Sequence, residues 1–332
     1  MKYVKWLLLI TILLAGNLTF CQKEDASATR DILLADPTIF LNKNTYYLTG
    51  TGSGANAGSG SGFVVYTSGD LKTWKGPAGT DGGFILKRGD AFGSKGFWAP
   101  QIIKYNNWFY IAYTANEKIA LAVSVNPSGP FLNPSLRPID DTLKQIDPFI
   151  FIDDDGKKYL YHVRLTRGNR IFVAELNDDL MSIKPETLRE CISATEKWEN
   201  TAGAGWPVAE GPTVIKHKDL YYLIYSANDF RNPDYAVGYA TSKSPLGPWI
   251  KSHDNPIIHR GIVGVNGPGH GDILAVGRRH LYYVFHTHFS EEAVSPRKTA
   301  IGELRFLKDP KGGYGKLVFV KTSFRYLSVK TQ

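Results

Sequence analysis

The chain has 332 residues, 43% of them apolar and 21% charged, with a formal net charge of +8. That composition excludes a disordered or collagen-like chain and supplies the core of one large domain or two smaller ones. Two cysteines exclude a disulfide framework. The lysines and arginines are scattered, which argues against nucleic acid as a partner.

In chain order, the first element is a targeting segment. Lys2 and Lys5 precede an apolar run from Trp6 to Leu14, too short to span a bilayer, which predicts a signal peptide over residues 1–20. It ends in "LTFCQKED". The leucine three residues before Cys21 resembles a bacterial lipoprotein cleavage box, and "QKED" resembles the acidic tether of surface lipoproteins. The expectation is an exported chain: a periplasmic or cell-surface lipoprotein of a Gram-negative bacterium, lipid-anchored at Cys21, with residues 21–30 as tether. Cleavage near Ala26–Ala28 would instead release a soluble form. Cys191 has no evident partner.

From residue 31 onward one phrase recurs. It reads "DPTIFLNKNTYYL" from Asp36, "APQIIKYNNWFYIAYT" from Ala99 and "DPFIFIDDDGKKYLYH" from Asp147. It returns as "EGPTVIKHKDLYYLIYS" from Glu210 and more loosely as "HGDILAVGRRHLYYVFH" from His270. Each instance is a strand, a tight turn and an aromatic strand, followed by one or two shorter strands such as "YAVGYATS". No run has helical period outside the leader. Four strands per unit, five times, predict an all-β fold: a single five-bladed β-propeller of four-stranded antiparallel blades over residues 31–332.

Repeats about an axis carry equivalent positions to one ring. Asp36, Asp147, Glu210 and His270 each open the first strand of a unit, so they are expected to converge on the central channel. A single Asp-Pro would be read as a turn. Three acids at matched places of three repeats repel one another, which points to chemistry.

Four further stretches are read more simply. The glycine-dense residues 50–62 lack a following helix and a Lys-Ser/Thr, so they are a surface loop and not a phosphate cradle. "DDDGKK" from Asp153 lacks the ligand spacing of a calcium loop and reads as a hairpin turn. His286 and His288 alternate on one strand face as site-lining or packing residues. The closing "KLVFVKTSFRYLSVKTQ" reads as strands that complete the last unit.

Two carboxyl groups across a cleft are the equipment for breaking a glycosidic bond, one protonated and one ionised, and a third acid can tune the donor. The motifs "ADPTI", "FWAPQI", "IDPFIF-DDDGK-YL", "AEGPTV-K---YYL-YSA", "YAVGYATS-SPLGPW" and "GPGHGDIL" together resemble glycoside hydrolase family 43 over nearly the whole mature chain. The resemblance implies hydrolysis with inversion, Asp36 as general base, Glu210 as general acid and Asp147 as the group that tunes Glu210. It further implies Trp98 as a wall of the sugar pocket, Arg297 as a contact to sugar hydroxyls, and His270 beside a calcium-like ion near the axis. No cofactor is required for the chemistry. Gln101 departs from the acidic residue many relatives carry there.

The expected substrate is an arabinose- or xylose-containing plant cell-wall polysaccharide or oligosaccharide, with no obligate protein partner. Exo-α-L-arabinofuranosidase comes first, then β-xylosidase, endo-arabinanase or exo-galactanase. A glycan-binding propeller without hydrolysis is the reading from another class. A five-bladed fructan enzyme is disfavoured because "ADPTI" lacks the flanking Asn and Gly of that group.

Overall fold

The computed structural model describes residues 29–53, 60–133, 135–277, 280–307 and 315–330. The expected signal peptide, Cys21, most of the expected tether and residues 54–59 of the glycine-dense stretch lie outside the described residues. Five antiparallel sheets follow one another around a central channel, each entering by its innermost strand. Blade 1 comprises Leu34–Asn42, Thr45–Gly52, Tyr66–Ser68 and Trp74–Lys75. Blade 2 comprises Trp98–Tyr105, Trp108–Ala115 and Lys118–Ser124, its fourth strand reduced to a single bridge between Val123 and Leu132. Blade 3 runs Gln145–Ile152, Lys158–Leu165, Asn169–Glu175 and Arg189–Ser193. Blade 4 runs Ala209–His217, Leu220–Ala227, Ala236–Ser242 and Ile250–Lys251. Blade 5 runs Gly269–Val276, His280–Thr287, Lys298–Leu307 and Lys316–Tyr326.

The two ends of the fold meet on blade 1. Ser328–Lys330 pairs in parallel with Trp74–Lys75, and Thr29–Asp31 pairs with Ser328–Lys330. The C-terminal stretch read as closing the last unit therefore does two things. Lys316–Tyr326 is the outer strand of blade 5, and the next strand crosses to blade 1 and closes the ring. "DDDGKK" is the predicted hairpin turn, with Asp153 N–H donating to Lys157 O at 2.9 Å and Gly156 in the left-handed region.

The core is five wedges, one between each pair of neighbouring blades. The second strand of each blade shows why its sequence is apolar almost throughout. In "LYYLIYSA", Leu223 and Tyr225 pack toward blade 3, while Tyr222 and Ile224 pack toward blade 5. In blade 2, Ile111 and Tyr113 face blade 1 and Ala112 faces blade 3. Successive side chains alternate between faces, and here both faces are buried.

Each innermost strand carries the same irregularity. Its pairing with the second strand slips between Ala35 and Thr38, Trp98 and Gln101, Ile146 and Phe149, Glu210 and Thr213, and Gly269 and Gly271. At the slip, Asp36, Ala99, Asp147, Gly211 and His270 have φ between 41° and 59°. Four of these five are not glycine, and a left-handed conformation there costs of order 1–3 kcal/mol each. Proline follows four of them, where no ladder donor is needed.

The strain is offset by the preceding blade. The main-chain N–H of Ala99 donates to Thr51 Oγ1 (2.8 Å), that of Asp147 to Thr114 Oγ1 (3.0 Å) and that of His270 to Ser226 Oγ (2.7 Å). The N–H of Asp36 closes the circle on His286 Nδ1 at 3.1 Å. In blade 3 the corresponding position is Val163, which cannot accept. There the Gly211 N–H donates to the Asp147 carboxylate at 3.2 Å instead.

Gln101 belongs to the same seam. Its side-chain amide donates to Ile150 O (3.1 Å) and accepts from Ile150 N–H (2.6 Å), bridging blades 2 and 3. An ionised carboxylate there has no donor for the Ile150 carbonyl. Gln101→Glu is expected to lower stability by about 1–3 kcal/mol. The urea midpoint falls and the slope of the unfolding transition stays unchanged.

Candidate active site

The five left-handed residues do not coincide with the ring read from the sequence. Asp36, Asp147 and His270 are equivalent positions, but the equivalent of these in blade 4 is Gly211. Glu210 sits one place earlier, where blade 2 has Trp98 and blade 3 has Ile146. The bulge explains why it still reaches the site. Neighbouring residues of a regular strand point to opposite faces, whereas here consecutive Ile146 and Asp147 both line one pocket.

That pocket has a volume of about 350 Å³. Asp36, Asp147, Glu210 and His270 form its floor, each buried. Trp98 and Trp206, 40% and 49% exposed, line it together with Phe230 and Arg297. The structure thus brings all six sequence-derived site residues together.

The three acids have different surroundings. Burial alone would raise the Asp36 carboxyl, but Arg297, His270 and His286 outweigh it and hold Asp36 well below the ordinary carboxylate range. Arg297 Nη1 donates to Asp36 Oδ1 at 3.2 Å, and Thr51 Oγ1 donates to Oδ2 at 2.7 Å. Arg297 is itself seated over the Phe230 ring at 4.7 Å.

Glu210 is pushed up to about 7, chiefly by burial and further by the negative charges of Asp36 and Asp229. Hydrogen bonds from Tyr235 (2.9 Å to Oε1) and Asn169 (2.8 Å to Oε2) oppose that rise. Asp147 stands well above its usual range through burial and the repulsion of Glu210 and Asp36. One pocket therefore drives Asp36 toward its ionised form, and Asp147 and Glu210 toward their protonated forms.

His270 Nδ1 lies 3.4 Å from Asp36 Oδ1 and 3.9 Å from Asp147 Oδ2, and burial holds the ring neutral. His286 is fully buried, stacked on Tyr235 with ring centroids 5.7 Å apart, and pushed down to about 3 by burial and Arg297. It packs behind Asp36. His288 instead contacts the Phe230 carbonyl at 2.8 Å.

Below the ring the channel narrows to about 20 Å³, bordered by His270, Asp272, Thr38 and Thr213. Thr38 donates to Asp272 Oδ2 at 2.5 Å, and Thr213 donates to Gly271 O at 2.8 Å. Among the described residues no three His, Cys, Asp or Glu side chains gather as metal ligands. One imidazole and one carboxylate fall short of the six to eight oxygens calcium takes. These residues fit an ion only as the centre of bound water.

A family model for glycosyl hydrolases family 43 matches residues 31–310. The chain belongs to glycosyl hydrolase family 43. Of solved structures, an endo-1,4-beta-xylanase from Bacteroides thetaiotaomicron is 39% identical at TM-score 0.82, covering 92% of this chain and all of that one. A thermostable family-43 glycoside hydrolase is 36% identical at TM-score 0.75, covering 86% of this chain and 92% of that one. Among curated proteins, a xylosidase/arabinosidase of Humicola insolens is 32% identical over 51% of this chain and 62% of its own length. A beta-D-galactofuranosidase of Aspergillus niger is 26% identical over 63% of this chain and 62% of its own length. The chain thus spans about three fifths of these two curated relatives. The family consists of glycoside hydrolases that invert the anomeric centre and need no cofactor for the chemistry.

Trp206, Asn169, Tyr235 and Phe230 were not foreseen as site residues. The sequence does carry one signal for Trp206: "GWPVAEGP" puts a Trp-Pro four residues ahead of Glu210. Asn169, Tyr235 and Phe230 enter from other strands and loops and have no local mark.

Replacing Arg297 by Gln leaves burial of Asp36 opposed by less positive charge. The Asp36 titration, followed by carboxyl ¹³C NMR, is expected to move to higher pH. An unmoved titration would remove Arg297 from that role.

Proposed function

We propose that this family 43 glycoside hydrolase is an exo-α-L-arabinofuranosidase acting on arabinose-containing plant cell-wall polysaccharides or their oligosaccharides. The observation that carries the hydrolytic reading is the single pocket with Asp36 held ionised and Glu210 kept protonated to about pH 7. In this reading the Asp36 carboxylate takes a proton from water, which attacks the anomeric carbon from the face opposite the leaving oxygen. Glu210 gives its proton to that oxygen. Asp147 tunes Glu210 by repulsion and, through the Gly211 N–H, holds the main chain beside it. Trp98 and Arg297 bound the sugar, with Arg297 also serving Asp36. The small volume of the pocket favours release of a terminal sugar.

A second reading is action on β-1,4-linked xylose. It is favoured by the 39% identical protein described as a xylanase and by a side cavity that continues past Trp206. A purely glycan-binding role is disfavoured because all three acids are present in one pocket. We extend the proposal to export, on the strength of residues 1–20 and the sequence around Cys21, with lipidation of Cys21 as its finer form. A hydrated calcium-like ion beside His270 belongs to it as well. It carries no step, and its binding is checked by a calcium-dependent melting temperature after chelation.

Asp36→Asn and Glu210→Gln are each expected to cut kcat by two to four orders of magnitude with the fold retained. Wild-type turnover in either would remove that residue. A screen on nitrophenyl arabinofuranoside, xyloside and galactoside beside arabinan and arabinoxylan decides between the two substrate readings. Fresh product examined by NMR should have the inverted anomer, and retention would make Asp36 a nucleophile.

The donor must be protonated, so kcat/KM falls as pH rises through about 7. Asp147→Asn removes a repelling charge and moves that limb to lower pH. A limb that stays in place means that Asp147 is neutral in the active form.

A further inference from the structure

Trp206 stands between two cavities. One is the catalytic pocket; the other, about 790 Å³, lies beyond it and shares Trp206, Val208 and Asp229. The walls of the second are fastened before any ligand arrives. The Asn200 side chain donates to Ala204 O and accepts from Ala204 N–H. Asn228 Oδ1 accepts from Thr201 N–H, and its Nδ2 donates to the carbonyls of Trp198 and Asp234. The Asp229–Arg231 ion pair is exposed at the rim, where it presents an acceptor and a donor to hydroxyl groups. A pre-tied polar wall beside a half-exposed aromatic ring suits a saccharide.

Trp206 is also tied to the acid. Its Nε1 lies 2.9 Å from Asn169 Oδ1, and Asn169 Nδ2 lies 2.8 Å from Glu210 Oε2. An indole N–H is a donor and nothing else, so the Asn169 atom that faces it must be the oxygen. The amide nitrogen is thereby turned to Glu210. The main chain of Asn169 is held too, its N–H donating to Pro207 O at 2.9 Å. That close approach requires Gly168, where a Cβ would stand 2.5 Å from Pro207 O. With its N–H engaged, the indole offers only its faces, which suit the C–H surface of a sugar ring.

We propose that Trp206 couples the leaving group to the acid: its exposed face carries the leaving-group saccharide in the side cavity, while its N–H orients Asn169 and so positions Glu210. Trp206 is then both a specificity-determining contact and, through Asn169, a positioning residue. The inference rests on the hydrolase reading above and adds to it the site of the departing sugar.

The test compares two substrates with the same cleaved sugar, an unactivated oligosaccharide and its 4-nitrophenyl glycoside, whose leaving group needs little protonation. Trp206→Phe keeps an aromatic face and loses the donor; Asn169→Ala loses the contact to Glu210. Both are expected to lower the ratio of kcat/KM, oligosaccharide over nitrophenyl glycoside, by about tenfold or more, a fraction of what a positioned acid contributes. Trp206→Ala, which also removes the platform, should in addition raise KM for the oligosaccharide. Equal losses on both substrates would mean a merely structural role and overturn the proposal, as would a wild-type ratio in Trp206→Phe and Asn169→Ala. In those two cases hydrolysis itself still stands. A wild-type protein inert on every glycoside overturns the hydrolase reading, and this inference with it.

Discussion

The site depends on one repeated interaction, the capture of a strained main-chain N–H by the blade before it. A left-handed residue at the head of an innermost strand is unfavourable in isolation in the four blades where it is not glycine. Thr51, Thr114, Ser226 and His286 each supply an acceptor where the strained N–H emerges, and in the remaining seam the Asp147 carboxylate does so. The apolar wedges hold neighbouring blades close enough for those bonds to form. Backbone strain, inter-blade bonding and core packing are thus one cooperative unit, and its product is a set of side chains aimed into the channel.

That unit also separates the acids. Asp36, Asp147 and Glu210 are all buried, which by itself favours the neutral form in each. Asp36 escapes chiefly because the Arg297 guanidinium lies against it, with Thr51 donating to its other oxygen and the His270 and His286 rings beside it. Glu210 has Tyr235 and Asn169 but, among the described residues, no cation within bonding distance, and its proton persists to about pH 7. Two residues of nearly the same chemistry are thereby driven to opposite protonation states, which acid–base hydrolysis of a glycosidic bond requires. The network behind Asp36 is dense for this reason. Removing Arg297 leaves that carboxylate buried without its cation.

Much of the fold was legible because a propeller repeats itself. The five recurrences of strand, turn and aromatic strand marked five blades, while the latch at the ends of "YLTGT", "IAYTA", "LIYSA" and "YVFHT" was recognisable only from the N–H groups it accepts in the structure. The same counting misplaced Glu210 by one position, since "EGP" aligns by eye with "ADP". The proline is common to both phrases, but the left-handed residue before it is Gly211 in one and Asp36 in the other. Sequence spacing assumes a regular strand, and a bulge breaks that assumption. Gln101 was likewise visible as a departure, while its partner, the Ile150 peptide group, carries no side-chain signal at all.

The sequence by itself determined the blade count, the strand alternation and the identity of the three acids, because each is written in local period and in motif. Tertiary structure alone decided which acid keeps its proton and which gives it up, because that balance comes from Arg297, His286, Tyr235 and Asn169, distant in the chain and brought together by ring closure. It also decided the side cavity and the tie from Trp206 to Glu210. Those depend on distances of about 3 Å between separate loops, and no spacing along a chain encodes them.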